Sequence, residues 1–169
     1  TLHFSLGPVQ GVIGQARRIR DYWAGSFLLS YLSGVAMRAV EEGFPFGNGR
    51  LGKVEFPILD DDPLWLAMHG IKPDWHIGTL PNRFRAAITV ASPETVFKPR
   101  GEDLCTRAIQ EAWWTIAEAV WAEFLEKLPW HEIGGDERKA ATRAIWERQI
   151  KGFWETSWVL GVPRKDKGV

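Results

Sequence analysis

The chain has a single cysteine, Cys105, in 169 residues, which excludes an intramolecular disulfide and any cysteine-clustered zinc site. A lone thiol suits a reducing cytoplasm, the expected location, and its expected place is the core, as a small hydrophobe. Excess charge of one sign is also lacking, since 21 Lys and Arg balance 21 Asp and Glu. No global positive field advertises nucleic acid, so any such contact has to be local. No apolar run reaches the roughly 18 residues that a membrane span needs, and there is no signal-peptide pattern, so no membrane partner is expected. The four histidines, His3, His69, His76 and His131, have neither metal-ligand spacing nor triad partners. Internal repeats and low-complexity segments are absent as well.

What is abundant is tryptophan, with ten residues. Most of these rings are expected in the core, and the surplus suggests surfaces that become buried in an assembly. The length fits one domain that buries its own core. The chain opens on Thr1 rather than methionine and closes on a Lys/Gly-rich stretch, residues 163–169. The expectation is a domain over residues 1–162 followed by a linker-like tail at 163–169, as part of something longer.

Residues 2–6 alternate as a short strand, and Gly7-Pro8 turns the chain. From Val9 to Val40 apolar residues recur at helical spacing, through Ile19, Trp23 and Phe27, predicting one long helix. Gly11, Gly14 and Gly25 would each cost it about 1 kcal/mol relative to alanine, which suggests a close backbone approach to a neighbour or ligand. A glycine-rich loop covers 43–52. Residues 53–59 read as a strand ended or edged by Pro57, 64–70 as a short helix and 83–90 as a strand. A second long helix is expected over 102–128, with Leu104, Ala108, Ala112, Trp113, Ile116, Ala119, Val120 and Phe124 on its apolar stripe and Pro129 ending it. Asp136 is the expected N-cap of a helix over 137–151, and 155–162 is the final strand. This order predicts an α+β fold: a ferredoxin-like, palm-like antiparallel sheet with helices packed on one face and an extra helix before the last strand.

Several positions invite chemistry. Gly7, Pro8 and Gln10 lie at a strand-to-helix junction, where free N–H groups favour anions, although Pro8 removes one donor and the glycine spacing is not that of a phosphate loop. Arg17, Arg18 and Arg20 form the densest basic cluster, suited to RNA phosphate or an acidic partner, or simply to a solvated helix face. Asp60, Asp61 and Asp62 either supply metal ligands or form a solvated acidic turn before Pro63. Trp113, Trp114, Trp121 and Trp130 read as core, with one or two rings left for an interface. Asn82 is suited to capping a turn and Arg83 to pairing with a carboxylate.

The segments GPVQ (Gly7, Pro8, Val9, Gln10), Ala16-Arg17-Arg18 and WAGSF (Trp23 to Phe27) together resemble the first palm-like domain of the large subunit of type III-B (Cmr) CRISPR effector complexes. LPNRF at 80–84 and WERQIKGFWETSW at 146–158 match that family further, and the resemblance runs over residues 2 to 162. It implies a parent protein with a catalytic palm carrying a GGDD motif, often an HD nuclease domain, and synthesis of cyclic oligoadenylate from ATP with divalent metal when target RNA is bound. For this segment it implies a scaffold that frames the ATP pocket of a palm elsewhere, with Gly7, Gln10 and Ser26 beside the nucleotide. It implies no cofactor or catalytic residue of its own. The implied partners are the catalytic palm of the same protein, other type III effector subunits, and guide and target RNA.

Departures from the family pattern sharpen this expectation. No His-Asp dipeptide occurs, and the first strand, Leu2-His3-Phe4-Ser5-Leu6, lacks the carboxylate that two-metal chemistry needs. Gly134-Gly135-Asp136-Glu137 imitates GGDD but leads into a Lys/Arg-rich helical segment rather than an apolar hairpin strand. The alternatives are a free-standing nucleotide-binding enzyme with its own metal site, at Asp60 to Asp62 or Asp136-Glu137, and a ligand-free protein-interaction module.

Overall fold

The computed structural model describes residues 1–14, 16–47, 49–71, 76–89, 97 and 103–161. Its sheet has the order β2-β3-β1-β4, with β1 Leu2–Gly7, β2 Gly52–Phe56, β3 Arg83–Ile88 and β4 Glu155–Leu160. Every neighbouring pair is antiparallel, which is the ferredoxin-like arrangement. The alternation in β1 explains its central position. Leu2, Phe4 and Leu6 are buried on one face while His3 and Ser5 point to the other. Phe4 stacks on Phe84 across the β1–β3 pair with ring centroids 5.1 Å apart.

The helices α1 Val9–Gly14, α2 Ile19–Glu42, α3 Pro63–Met68, α4 Leu104–Val120, α5 Trp130–Ile133 and α6 Gly135–Lys151 complete the chain. α2 and α4 share one core with the inner sheet face, through Leu32, Ala36, Met37 and Val40 on one helix and Cys105 and Ile109 on the other. At the C-terminus of α2, Gly43 adopts φ +69°, and a Cβ there would lie 2.3 Å from the Gly49 carbonyl oxygen. Only glycine closes this helix end. The Glu41 side chain then reaches the first edge of the sheet, where Oε1 accepts the Val54 N–H at 2.6 Å and Oε2 accepts from Arg50 at 2.6 Å.

The structure corrects the single helix expected over 9–40. α1 ends at Gly14, and a new helix starts at Ile19. The break sits where Gly14 weakens the helix and Asp21 offers a fresh start, its Oδ2 accepting the Arg18 N–H at 3.1 Å. Ile19, Tyr22 and Trp23 consequently lie outside the core, with Ile19 90% exposed. Of the glycines expected to allow a close approach, Gly11 has Pro8 Cγ 3.1 Å from where its Cβ would lie, and Gly14 faces open space. A tighter one is Gly34 in α2, where a Cβ would meet Met68 Sδ at 2.7 Å and Leu80 Cδ1 at 2.8 Å.

The second long helix also departs from its expected stripe. After α4 comes a π-helical turn, Trp121–Leu125, closed by Glu126 N–H donating to the Trp121 carbonyl at 2.8 Å. The extra residue in this turn rotates the following face. Phe124 within the turn and Val120 just before it are exposed, whereas Trp121 is buried as expected. At α6 the N-cap is Gly134 and Asp136 stands inside the first turn without a capping bond. Two positive-φ glycines, Gly134 and Gly135, form the helix entry that a side-chain cap was expected to form. The expected tail at 163–169 lies outside the described residues.

α3 is tied to the end of α2 by Glu42, which bonds His69 through Nε2 and accepts from Arg38 at 3.0 Å. The His69 Nδ1 lies 2.7 Å from the Trp65 carbonyl. Burial pushes the Glu42 carboxyl up, but the bonds from His69 and Arg38 outweigh it and hold the group below its ordinary 4.5. A lowered carboxyl contributes stability that is full above the unfolded value and lost as pH falls through the folded one. The urea midpoint is therefore expected to fall below about pH 4.5 more steeply in the natural chain than in Glu42→Gln. Parallel midpoint-versus-pH curves for the two proteins would contradict this assignment.

Candidate functional site

The junction singled out in the sequence lies at the C-terminal end of β1. Gly7 is half-buried, pairs with Glu155 of β4 and is followed by a cis peptide bond to Pro8. A Cβ at Gly7 would lie 3.9 Å from its nearest atoms, so the glycine is not forced by crowding. The strand end is instead fixed from the side. Asn82 Nδ2 donates to the Leu6 carbonyl at 2.9 Å and the Leu6 N–H donates to the Asn82 carbonyl at 2.8 Å. The amide of Asn82, expected to cap a turn, is thus a clamp on β1. Arg83 makes no ion pair among the described residues, and it is Arg85 that meets a carboxylate, Glu55, at 3.1 Å.

The segment holding Asn82 is moulded onto α2. Ser30 Oγ donates to the Leu80 carbonyl at 2.8 Å and accepts the Leu80 N–H at 2.7 Å, and Ser33 Oγ donates to the Pro81 carbonyl at 2.6 Å. Burying both hydroxyls is tolerable because each is bonded. Gly78 lets the chain pass closely: a Cβ there would lie 2.9 Å from the Ser26 carbonyl oxygen and 3.1 Å from the Phe27 Cα. The segment from Gly78 to Asn82 therefore touches α2 at Ser26 and β1 at Leu6, the residue before Gly7. Ser26 is half-buried within α2, and its hydroxyl has no hydrogen-bond partner among the described residues. Gln10 is exposed on α1. Ser30, Ser33, Gly78 and the Asn82 clamp were missed in the sequence; the available signal was serine at 26, 30 and 33, hydroxyls spaced along one helix face inside an apolar run.

Arg17, Arg18 and Arg20 are all exposed and stand at the start of the 24-residue α2, with Arg18 as its N-cap and Arg20 in its first turn, rather than in the middle of one long helix. Cations are disfavoured there, because the helix dipole places partial positive charge at that end. Asp21 is the local compensation, 3.7 Å from Arg20 Nε, in an exposed pair worth little. The cluster is therefore an anion-attracting surface with little internal neutralisation.

Of the acidic candidates only Asp62 is bonded among the described residues, while Asp60 and Asp61 stand exposed beside it. Asp62 caps α3: its Oδ1 accepts the Trp65 N–H at 2.9 Å and the Thr79 hydroxyl at 2.8 Å. Asp136 and Glu137 sit in the first turn of α6, where negative charge suits the dipole. Among the described residues no group of three or more His, Cys, Asp or Glu side chains is placed to hold a metal ion. No helix among them is long and apolar enough to cross a membrane.

The model of the family described as CRISPR-associated protein Cmr2, N-terminal, matches residues 1–118, from β1 through most of α4. No curated protein matches the chain. The family match covers the GPVQ turn, the arginine cluster and the Asn82 clamp, on a ferredoxin-like sheet. The chain thus belongs to the Cmr2 N-terminal family, the large subunit of type III-B CRISPR effector complexes.

Proposed function

We propose that this domain is the non-catalytic palm-like half of its protein. In this reading it scaffolds the effector complex and frames one wall of an ATP pocket whose chemistry resides in a catalytic palm elsewhere in the same protein. The observation that carries the reading is β1: it occupies the centre of a palm-like sheet, yet its residues Leu2 to Gly7 include no carboxylate. Without one, the strand has no charge with which to hold the metals that neutralise phosphate in two-metal chemistry. ATP and divalent metal accordingly belong to the parent protein's other palm, and the parent would synthesise cyclic oligoadenylate in antiviral defence.

Gly7, Gln10 and Ser26 are the residues proposed to lie beside the nucleotide. The free Ser26 hydroxyl and the exposed Gln10 amide are donors without internal partners among the described residues, which supports that role. Arg17, Arg18 and Arg20 are proposed to contact RNA or a neighbouring effector subunit, because an incoming anion relieves their unfavourable position at the start of α2. Guide RNA and target RNA would be met through the complex.

The test is cyclic oligoadenylate synthesis by the full effector complex with target RNA present, alongside the 169-residue chain alone. The chain alone is expected to make no product. In the complex, Gln10→Ala or Ser26→Ala should raise the KM for ATP about three- to tenfold, the loss of one hydrogen bond, and leave kcat nearly unchanged. Product from the isolated chain would overturn the division of labour, and unaltered KM in both variants would remove these residues from the pocket.

A further inference from the structure

A cleft of about 650 Å³ opens between α4 and α6, with Arg107, Gln110, Glu111 and Trp114 on one wall and Ile150 and Lys151 on the other. Its floor is fixed by Trp113, whose Nε1 donates to the Ile150 carbonyl at 3.1 Å. The volume is within the range of small-ligand sites. Most cations nearby are already committed. Arg143 is held by Glu118 and by Glu147, the latter at 2.9 Å, and Lys139 by Glu126.

Arg107 and Lys151 differ from these. Both are exposed, and neither has a carboxylate partner among the described residues. Each instead rests on an aromatic face: the Arg107 guanidinium is 4.3 Å from the Phe46 centroid and the Lys151 ammonium 5.9 Å from the Trp114 centroid. Gln110 and Glu111 are exposed beside them, with no partner for the amide or the carboxylate among the described residues. Arg107 and Trp114 are seven residues apart on α4, about 10 Å along its axis.

An indole face, two unpaired cations and a neighbouring amide and carboxylate are complementary to a nucleotide. The base takes the place of the Lys151 ammonium over the indole, that ammonium and Arg107 turn to the phosphates, and the polar pair reaches the base edge. An acidic peptide would use the cations but gain nothing from the indole, while Glu111 opposes either anion alike. We propose that this cleft binds a nucleotide unit of single-stranded RNA, with the base on Trp114 and the flanking phosphates on Arg107 and Lys151. The site is separate from the β1 junction and does not depend on the function assigned to it.

Fluorescence polarisation of a labelled single-stranded hexaribonucleotide, titrated with the 169-residue chain at several salt concentrations, tests this. Trp114→Ala should weaken binding about tenfold or more, and Trp114→Phe, which keeps an aromatic face, should recover much of it. Arg107→Glu with Lys151→Glu, both at exposed positions that leave the core intact, should reduce the slope of log affinity against log salt by about 1.4, or 0.7 per cation. Arg148→Glu, the same charge change on α6 outside the cleft, should alter affinity by no more than about twofold. The proposal is overturned if the hexamer does not bind. It is equally overturned if the cleft variants bind like the natural chain, or if duplex RNA competes as well as single-stranded RNA.

Discussion

Phe84→Ala is expected to destabilise the domain by about 4 kcal/mol, read as a shift in the urea midpoint at unchanged slope. Phe84 is 3% exposed on the inner face of β3, and its ring stacks on Phe4 of the adjacent central strand at an interplanar angle of 29°. Truncation removes the transfer energy of a whole ring and leaves a void between the two central strands and the helices above them. Neighbours on a paired sheet cannot collapse into such a void without breaking ladder hydrogen bonds, so little relaxation is available. Phe84→Leu keeps most of the volume and should cost about 1.5 kcal/mol. A domain of this size has only about 5–15 kcal/mol in hand, so the alanine variant should also expose β1, and with it the strand end at Gly7. Equal costs for alanine and leucine would show that packing at this position is not what holds the sheet together.

The second large effect is expected at Asp103, a fully buried carboxylate at the N-cap of α4. Its Oδ1 accepts the Thr106 N–H at 2.9 Å and its Oδ2 accepts the Thr106 hydroxyl at 2.6 Å. That hydroxyl lies 2.7 Å from the hydroxyl of Thr156 on β4. One side chain therefore joins the start of a core helix to a sheet strand distant in sequence. Asp103→Ala removes the cap and leaves a buried N–H unpaired, for a cost of about 3 kcal/mol. Asp103→Asn preserves the bond from the Thr106 N–H and lets the amide donate to the threonine hydroxyl, so it should cost about half as much.

Cys105 provides the readout for that experiment. It is the chain's single thiol and is fully buried. Burial pushes its titration well above the ordinary value, and the charge of Asp103 adds to the effect. Labelling by an alkylating reagent then requires the region to open. A loss of about 3 kcal/mol should accelerate labelling by roughly a hundredfold. A labelling rate unchanged in Asp103→Ala would mean that the carboxylate does not secure this corner of the fold.

The order of strands and major helices was legible because each announces itself locally. Alternation marked β1 and β3, Pro57 ended β2, and long apolar periods marked α2 and α4. The features that failed depend on alternatives of nearly equal local energy. Apolar spacing continues across residues 15–18, yet Asp21 offers a better helix start than Gly14 offers a continuation. The π turn at Trp121 is invisible to a 3.6-residue period, which places Val120 and Phe124 on the inner stripe, where the fold leaves both exposed.

The candidate site was legible in part. Gly7, Gln10, Ser26 and the three arginines stood out as motif or charge, but what orders the end of β1 is Asn82, 76 residues away from Leu6. Arg107, Trp114 and Lys151 gave less signal still, because they meet only when α6 folds back on α4. Pairings at that separation are set by tertiary packing, and no window of sequence contains both partners.

The hold of Glu41 on Val54 has a consequence for how this molecule behaves in company. An outer strand normally offers its backbone as a template on which a second copy can pair. Here the Val54 N–H is already taken by a carboxylate 2.6 Å away, in the middle of the strand where an intruder would need it. A newcomer would have to displace that bond and also bring its own carbonyl oxygens against a negative charge. Open-ended stacking of copies through this margin is therefore opposed by a single side chain anchored in α2, the same helix that closes the core.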